Sequence, residues 1–147
     1  RPTCLEIEVL EIAQLDDPLA AAKVMRACKE LGVAFSLDDF GTGYASLTYF
    51  QQLPIDIVKI DRRFVLNMLD NREDRAIVEG VVHMAQTLPR PVLAEGVESL
   101  EIGQMLRQIG CQYAQGYGIA RPLPADQVLA WVSSWAKDRR WHPPPEA

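Results

Sequence analysis

The chain has 147 residues, 48% of them hydrophobic and 24% charged, with a formal net charge of -5. That balance suits a soluble globular domain with room for a core, and it excludes a disordered or low-complexity chain. The acidic surplus argues against broad adhesion to bulk nucleic acid or anionic lipid, and no apolar run approaches the roughly 20 residues that span a bilayer.

The opening RPTCLEIEVLE has no methionine and almost no lead, so the chain reads as a piece of a longer protein. Within it, residues 4–10 (CLEIEVL) alternate as a strand does. A helix is expected next, with Val24, Met25, Cys28 and Leu31 on its apolar side. VAFSLD (33–38) reads as the second strand; it runs into Asp38 and Asp39, and Gly41 and Gly43 open the loop beyond. Taken alone, that aspartate pair is either a solvated Asx-type turn or a cation site. A short helix over 45–51 leads to the strand IDIVKI (55–60) and to another short helix over 62–69. Then come a long helix carrying Ile77, Val78, Val81, Ala85 and Leu88, the strand PVLAEG (91–96), and a helix marked by Met105, Leu106 and Ile109. The weaker strand CQYAQGY (111–117) and a last helix with Val128, Leu129, Val132 and Trp135 precede RRWHPPPEA, which cannot continue a helix. Each strand leads to a helix, so the expected class is α/β with a largely parallel sheet.

In such folds chemistry sits where strands end. The first strand carries Glu8 and Glu11, the second ends at Asp38 and Asp39, the third at Lys59 and Asp61, the fourth at Glu95 and Glu98, the fifth at Gln115. A ring of carboxylates on one face needs cations or an electropositive ligand within it. Oxygen donors without His or Cys suit Mg²⁺ or Mn²⁺, not zinc. Cys4, Cys28 and Cys111 lack the spacing of a disulfide framework or zinc site, which fits a reducing cytoplasm, and His83 and His142 read as structural or solvated. Lys59 read alone is a solvated lysine ending a strand, and Glu11 is open between a loop anchor and a helix-end charge or ion-pair partner.

These stretches resemble the EAL domain family, the bacterial phosphodiesterases that open cyclic di-GMP to the linear dinucleotide pGpG. LEIEVLE, DDFGTGYASL, VKIDRRFV, AEGVES and QGYGIARPLP match the family's motifs in order, over nearly the whole chain. The resemblance implies that Glu8 and Asp38 are ligands of a first metal and that Asp38 and Asp39 contribute to a second. It implies that Lys59 contacts the nucleophilic water, that Glu95 is a catalytic metal ligand or base, and that Gln115 lies near the same water. Glu11 would anchor the glycine loop, and Asp61 and Glu98 would be supporting acids. Phe40, Gly41, Thr42 and Gly43, with Arg121 and Pro122, would belong to the substrate loops. Two ions roughly 3.5 to 4 Å apart would clamp an in-line displacement at phosphorus.

Leu10 stands where the family usually has threonine, and GIA (118–120) replaces a more aromatic stretch. The E-A-L signature and the family's asparagine ligand do not occur in the chain. The family's fold is a modified TIM-type (β/α)8 barrel, so the chain is expected to be its carboxyl-terminal five βα units, with residues 1–137 a partial EAL domain and 138–147 a basic, proline-rich tail. Self-association or a homodimer is expected from the open sheet edges. A sensory or GGDEF domain upstream in the parent, and attachment of that parent to a membrane, are compatible with the reading. A degenerate EAL domain acting as a cyclic di-GMP receptor or protein-interaction module is the alternative.

Overall fold

The computed structural model of the protein describes residues 1–10, 17–41, 47–138 and 140–141. After a 3₁₀ turn at Pro2–Cys4, five strands alternate with helices: β1 (Glu6–Leu10), α1 (Pro18–Glu30), β2 (Ala34–Phe40), α2 (Leu47–Gln52), β3 (Ile57–Ile60), α3 (Arg62–Asn67), α4 (Arg72–Thr87), β4 (Val92–Glu95), α5 (Leu100–Ile109), β5 (Tyr113–Gln115) and α6 (Ala125–Trp135). The strands form one sheet in the order β1-β2-β3-β4-β5, every pair parallel, so each crossover helix returns the chain to the next position along the sheet. Among the described residues the sheet does not close, and β1 and β5 are its two edges.

Local chemistry sets the helix starts. The Asp17 carboxylate accepts from the amides of Leu19 and Ala20 ahead of Pro18, Asn71 caps α4 by accepting from Glu73 and Asp74, and Ser99 caps α5. Val58, Ile60, Val92 and Ala94 of the central strands pack with Val65, Val78, Val82 and Ala85 of α3 and α4, all fully buried. The edges are thinner, because β1 and β5 are largely exposed.

Two expected helix faces are corrected. In α1 the buried side is Ala22 and Met25, while Val24 and Leu31 are 63% and 68% exposed. At about 100° per residue Val24 and Leu31 share a direction well round from the Ala22–Met25 side, so their spacing joined two faces into one. In α6 no residue is buried, and Val128, Leu129 and Val132 face outward. What ties this helix down locally is a run of rings, with Trp131 on Trp135 at 5.4 Å and Trp135 on Trp141 at 5.1 Å. Among the described residues no helix is long and apolar enough to cross a membrane.

Candidate metal centre

Successive side chains of a strand point to opposite faces. In β3, Val58 and Ile60 therefore enter the core beneath the helices, and Lys59 projects from the other face. There its Nζ donates to Glu8 Oε1 at 2.6 Å from β1, lies 3.1 Å from Asp38 Oδ1 of β2, and lies 2.8 Å from Glu95 Oε1 of β4. One ammonium thus bridges four adjacent strands, and only 8% of its side chain is exposed. Burial by itself would favour the neutral amine, but hydrogen bonds to Glu8, Glu95 and Asp38 outweigh it and raise the Lys59 pKa above its ordinary value. Lys59 is a fixed positive charge and a hydrogen-bond donor, not a base.

Asp38 and Asp39 would point to opposite faces of a regular strand. The β2–β3 register instead shifts between Leu37 and Phe40, and Asp39 takes a left-handed φ of +55°. This bulge turns Asp39 to the side of its neighbour. Carboxylate oxygens of Asp38, Asp39 and Glu95 come within 4.8 Å of one another, and the Asp39 amide donates to Asp38 Oδ1 at 3.0 Å. Burial, then the charges of Asp38, Asp61 and Glu95, push the Asp39 pKa up, which is the signature of carboxylates gathered beyond what water easily solvates. The donor set is all oxygen and partly buried, and an ammonium already sits against two of its members. These residues fit a hard divalent cation.

The other expected residues divide. Asp61 is buried, caps α3 by accepting from the Arg63 amide at 2.6 Å, and adds its charge to those that push the Asp39 pKa up. Gln115 is paired in register with Glu95. Glu98 is exposed and lines a cavity of about 280 Å³ together with Glu95, Gln115, Arg62, Gly96, Gly116 and Tyr117. The Arg121 guanidinium lies 4.6 Å over the Tyr117 ring, and Pro122 is exposed. Phe40, expected with the substrate loop, is instead buried against Phe50 at 5.8 Å, because the bulge carries it to the core face beside Ile60. Gly41 has a φ of +100° and closes against Phe64. Glu11, Thr42, Gly43 and His142 lie outside the described residues. His83 is exposed on α4. Arg62 and Tyr117 lie within the quoted stretches VKIDRRFV and QGYGIARPLP but were given no role from the sequence. Two larger cavities of about 460 Å³ surround Trp141, away from the carboxylates.

The family model described as the EAL domain matches residues 1–122. The bifunctional diguanylate cyclase/cyclic di-GMP phosphodiesterase MucR of Pseudomonas aeruginosa is 39% identical over 132 residues, 90% of this chain and 19% of that protein. The solved structure of the MucR phosphodiesterase in complex with c-di-GMP superposes with a TM-score of 0.80 at 38% identity, over 86% of this chain and 51% of that one. The manganese/cy-diGMP complex of Klebsiella pneumoniae BlrP1 superposes with a TM-score of 0.74 at 34% identity, over 83% of this chain and 31% of that one. The chain therefore spans less than a fifth of the length of MucR and about half of the solved MucR chain.

Proposed function

The chain belongs to the EAL domain family, and on that premise we propose that it is the carboxyl-terminal five βα units of a barrel that hydrolyses cyclic di-GMP to pGpG with two bound Mg²⁺ or Mn²⁺ ions. The observation that carries this reading is the convergence of Asp38, Asp39 and Glu95 carboxylates within 4.8 Å at the ends of parallel strands, with Lys59 among them. Glu8, Asp38, Asp39 and Glu95 would hold the ions. Bound divalent cations supply an acidified water and neutralise the phosphate oxygens.

The chain's own residues take the remaining roles. In this hydrolysis the water oxygen bonds to phosphorus as the P–O3′ bond breaks, leaving a 5′-phosphate and a 3′-hydroxyl. Lys59, held as an ammonium, donates a hydrogen bond to the attacking water and fixes its direction. Glu95 accepts the water's proton, and Gln115, its register partner, orients the same water. Asp61 holds the start of α3 in place and adds negative charge beside Asp39.

The domain is taken through residue 137, just past the end of α6 at Trp135. The exposed apolar side chains of Leu5, Ile7 and Leu10 near or on β1, and of Tyr113 on β5, favour self-association where nothing else covers these edges. The working location is cytoplasmic, with sensory or GGDEF domains in the parent. Asp38→Asn in the full-length protein tests the centre, because it removes a charge next to both Lys59 and Asp39. Hydrolysis of cyclic di-GMP in Mg²⁺ or Mn²⁺ should fall to background, and retained turnover would refute the metal assignment.

A further inference from the structure

We propose that Arg62 pairs with the phosphate of the dinucleotide that is not being cleaved and so sets affinity for a cyclic, two-phosphate substrate; this rests on the cyclic di-GMP reading above. A cyclic dinucleotide carries two phosphodiesters. One is placed for hydrolysis at the carboxylate cluster, and the other brings a second negative charge into a cleft that already holds Glu95 and Glu98. That charge needs its own cation.

The cations around the cleft are mostly committed. Lys59 is shared by three carboxylates. Arg63 is held by Asp61, its Nε 3.2 Å from Oδ1. The Arg121 guanidinium lies over the Tyr117 ring, 4.6 Å from its centroid. Arg62 is different, because it lines the same cavity as Glu95 and Gln115, is exposed, and takes part in no ion pair among the described residues. Its guanidinium fork matches phosphate geometry bidentately, which a lysine can serve only as a point charge.

The backbone places this arginine. Gly96 follows Glu95 directly and has a φ of +75°, and a Cβ there would come within 2.7 Å of the Arg62 Cβ. The loop leaving β4 therefore closes onto the stem of Arg62, fixing where its side chain starts relative to the Glu95 carboxylate. With about 280 Å³, the cavity takes one part of a dinucleotide and not the whole, as a subsite for the uncleaved half would.

The test uses the full-length protein and steady-state hydrolysis of cyclic di-GMP by wild type, Arg62→Ala, Arg62→Gln and Arg62→Lys. The alanine and glutamine variants should raise KM at least about tenfold with kcat within about threefold, since the lost interaction is equal in ground and transition states. The lysine variant, which keeps the charge but not the fork, should recover only part of that loss, and the Ala and Gln variants should show a KM less sensitive to salt than wild type. An unchanged KM in the Ala variant, or a Lys variant as weak as Ala, would overturn the phosphate role. A wild-type protein that fails to hydrolyse cyclic di-GMP would instead overturn the reading on which the proposal rests.

Discussion

Replacing Lys59 with methionine removes the one ammonium shared by Glu8, Asp38 and Glu95 while keeping most of the side-chain volume. Breaking a buried ion pair from one side costs about 3–5 kcal/mol, because the partners stay behind uncompensated. Here Asp38 and Glu95 are 14% and 21% exposed, but Glu8 is 54% exposed and well screened, so the lower end applies, about 3 kcal/mol. For a domain of this size that corresponds to a melting point lower by about 6 to 12 °C in metal-free buffer. The same substitution should strengthen divalent-cation binding, since Lys59 and a metal compete for Asp38 and Glu95. Saturating Mn²⁺ should therefore raise the melting point of the variant more than that of wild type. Turnover should nevertheless fall at least about a hundredfold, because the donor that directs the water is gone. Differential scanning calorimetry with and without Mn²⁺, calorimetric titration of Mn²⁺ and a cyclic di-GMP hydrolysis assay read the three effects. A variant that is unchanged in metal-free stability, or that binds Mn²⁺ more weakly than wild type, would refute the account of Lys59 as the resident cation of the site.

Asp39 separates backbone strain from ligand loss. Asp39→Gly and Asp39→Ala should both weaken Mn²⁺ binding, but at φ +55° the alanine variant should be less stable than the glycine variant by roughly 1 kcal/mol, measured by chemical denaturation. The thiols should react in an order set by burial. Burial, only partly offset by hydrogen bonds, pushes the Cys111 thiol up to about 11, whereas Cys4 is exposed, so iodoacetamide at pH 8 should alkylate Cys4 at least about tenfold faster.

The strand order was legible because each βα unit is marked twice, by a change from two-residue to helical periodicity and by capping residues such as Asp17, Asn71 and Ser99. The acidic strand ends were legible for a similar reason, since a parallel sheet brings the same end of every strand to one side. Helix orientation was less so. Val24 and Leu31 follow a helical spacing, but spacing alone does not say which of two apolar faces the sheet takes. Arg62 was missed because nothing local distinguishes it from Arg63; only the closure of Gly96 against its stem and the Asp61–Arg63 contact separate them.

The least legible feature is the bulge at Asp39, and it explains two placements at once. In an unbroken strand Asp38 and Phe40 would share one face and Leu37 and Asp39 the other. That arrangement would put a carboxylate among the helices and a phenyl ring in the acidic cleft. Slipping the register by one residue between Leu37 and Phe40 exchanges them, so Asp39 joins Asp38 and Glu95 while Phe40 pairs with Ile60 and packs on Phe50. The strain of a non-glycine left-handed residue is offset by burying a large aromatic side chain, which contributes about 2 kcal/mol or more, against roughly 1–2 kcal/mol for the backbone. The adjacent aspartates can therefore serve one centre because the residue after them is a phenylalanine that the core accepts.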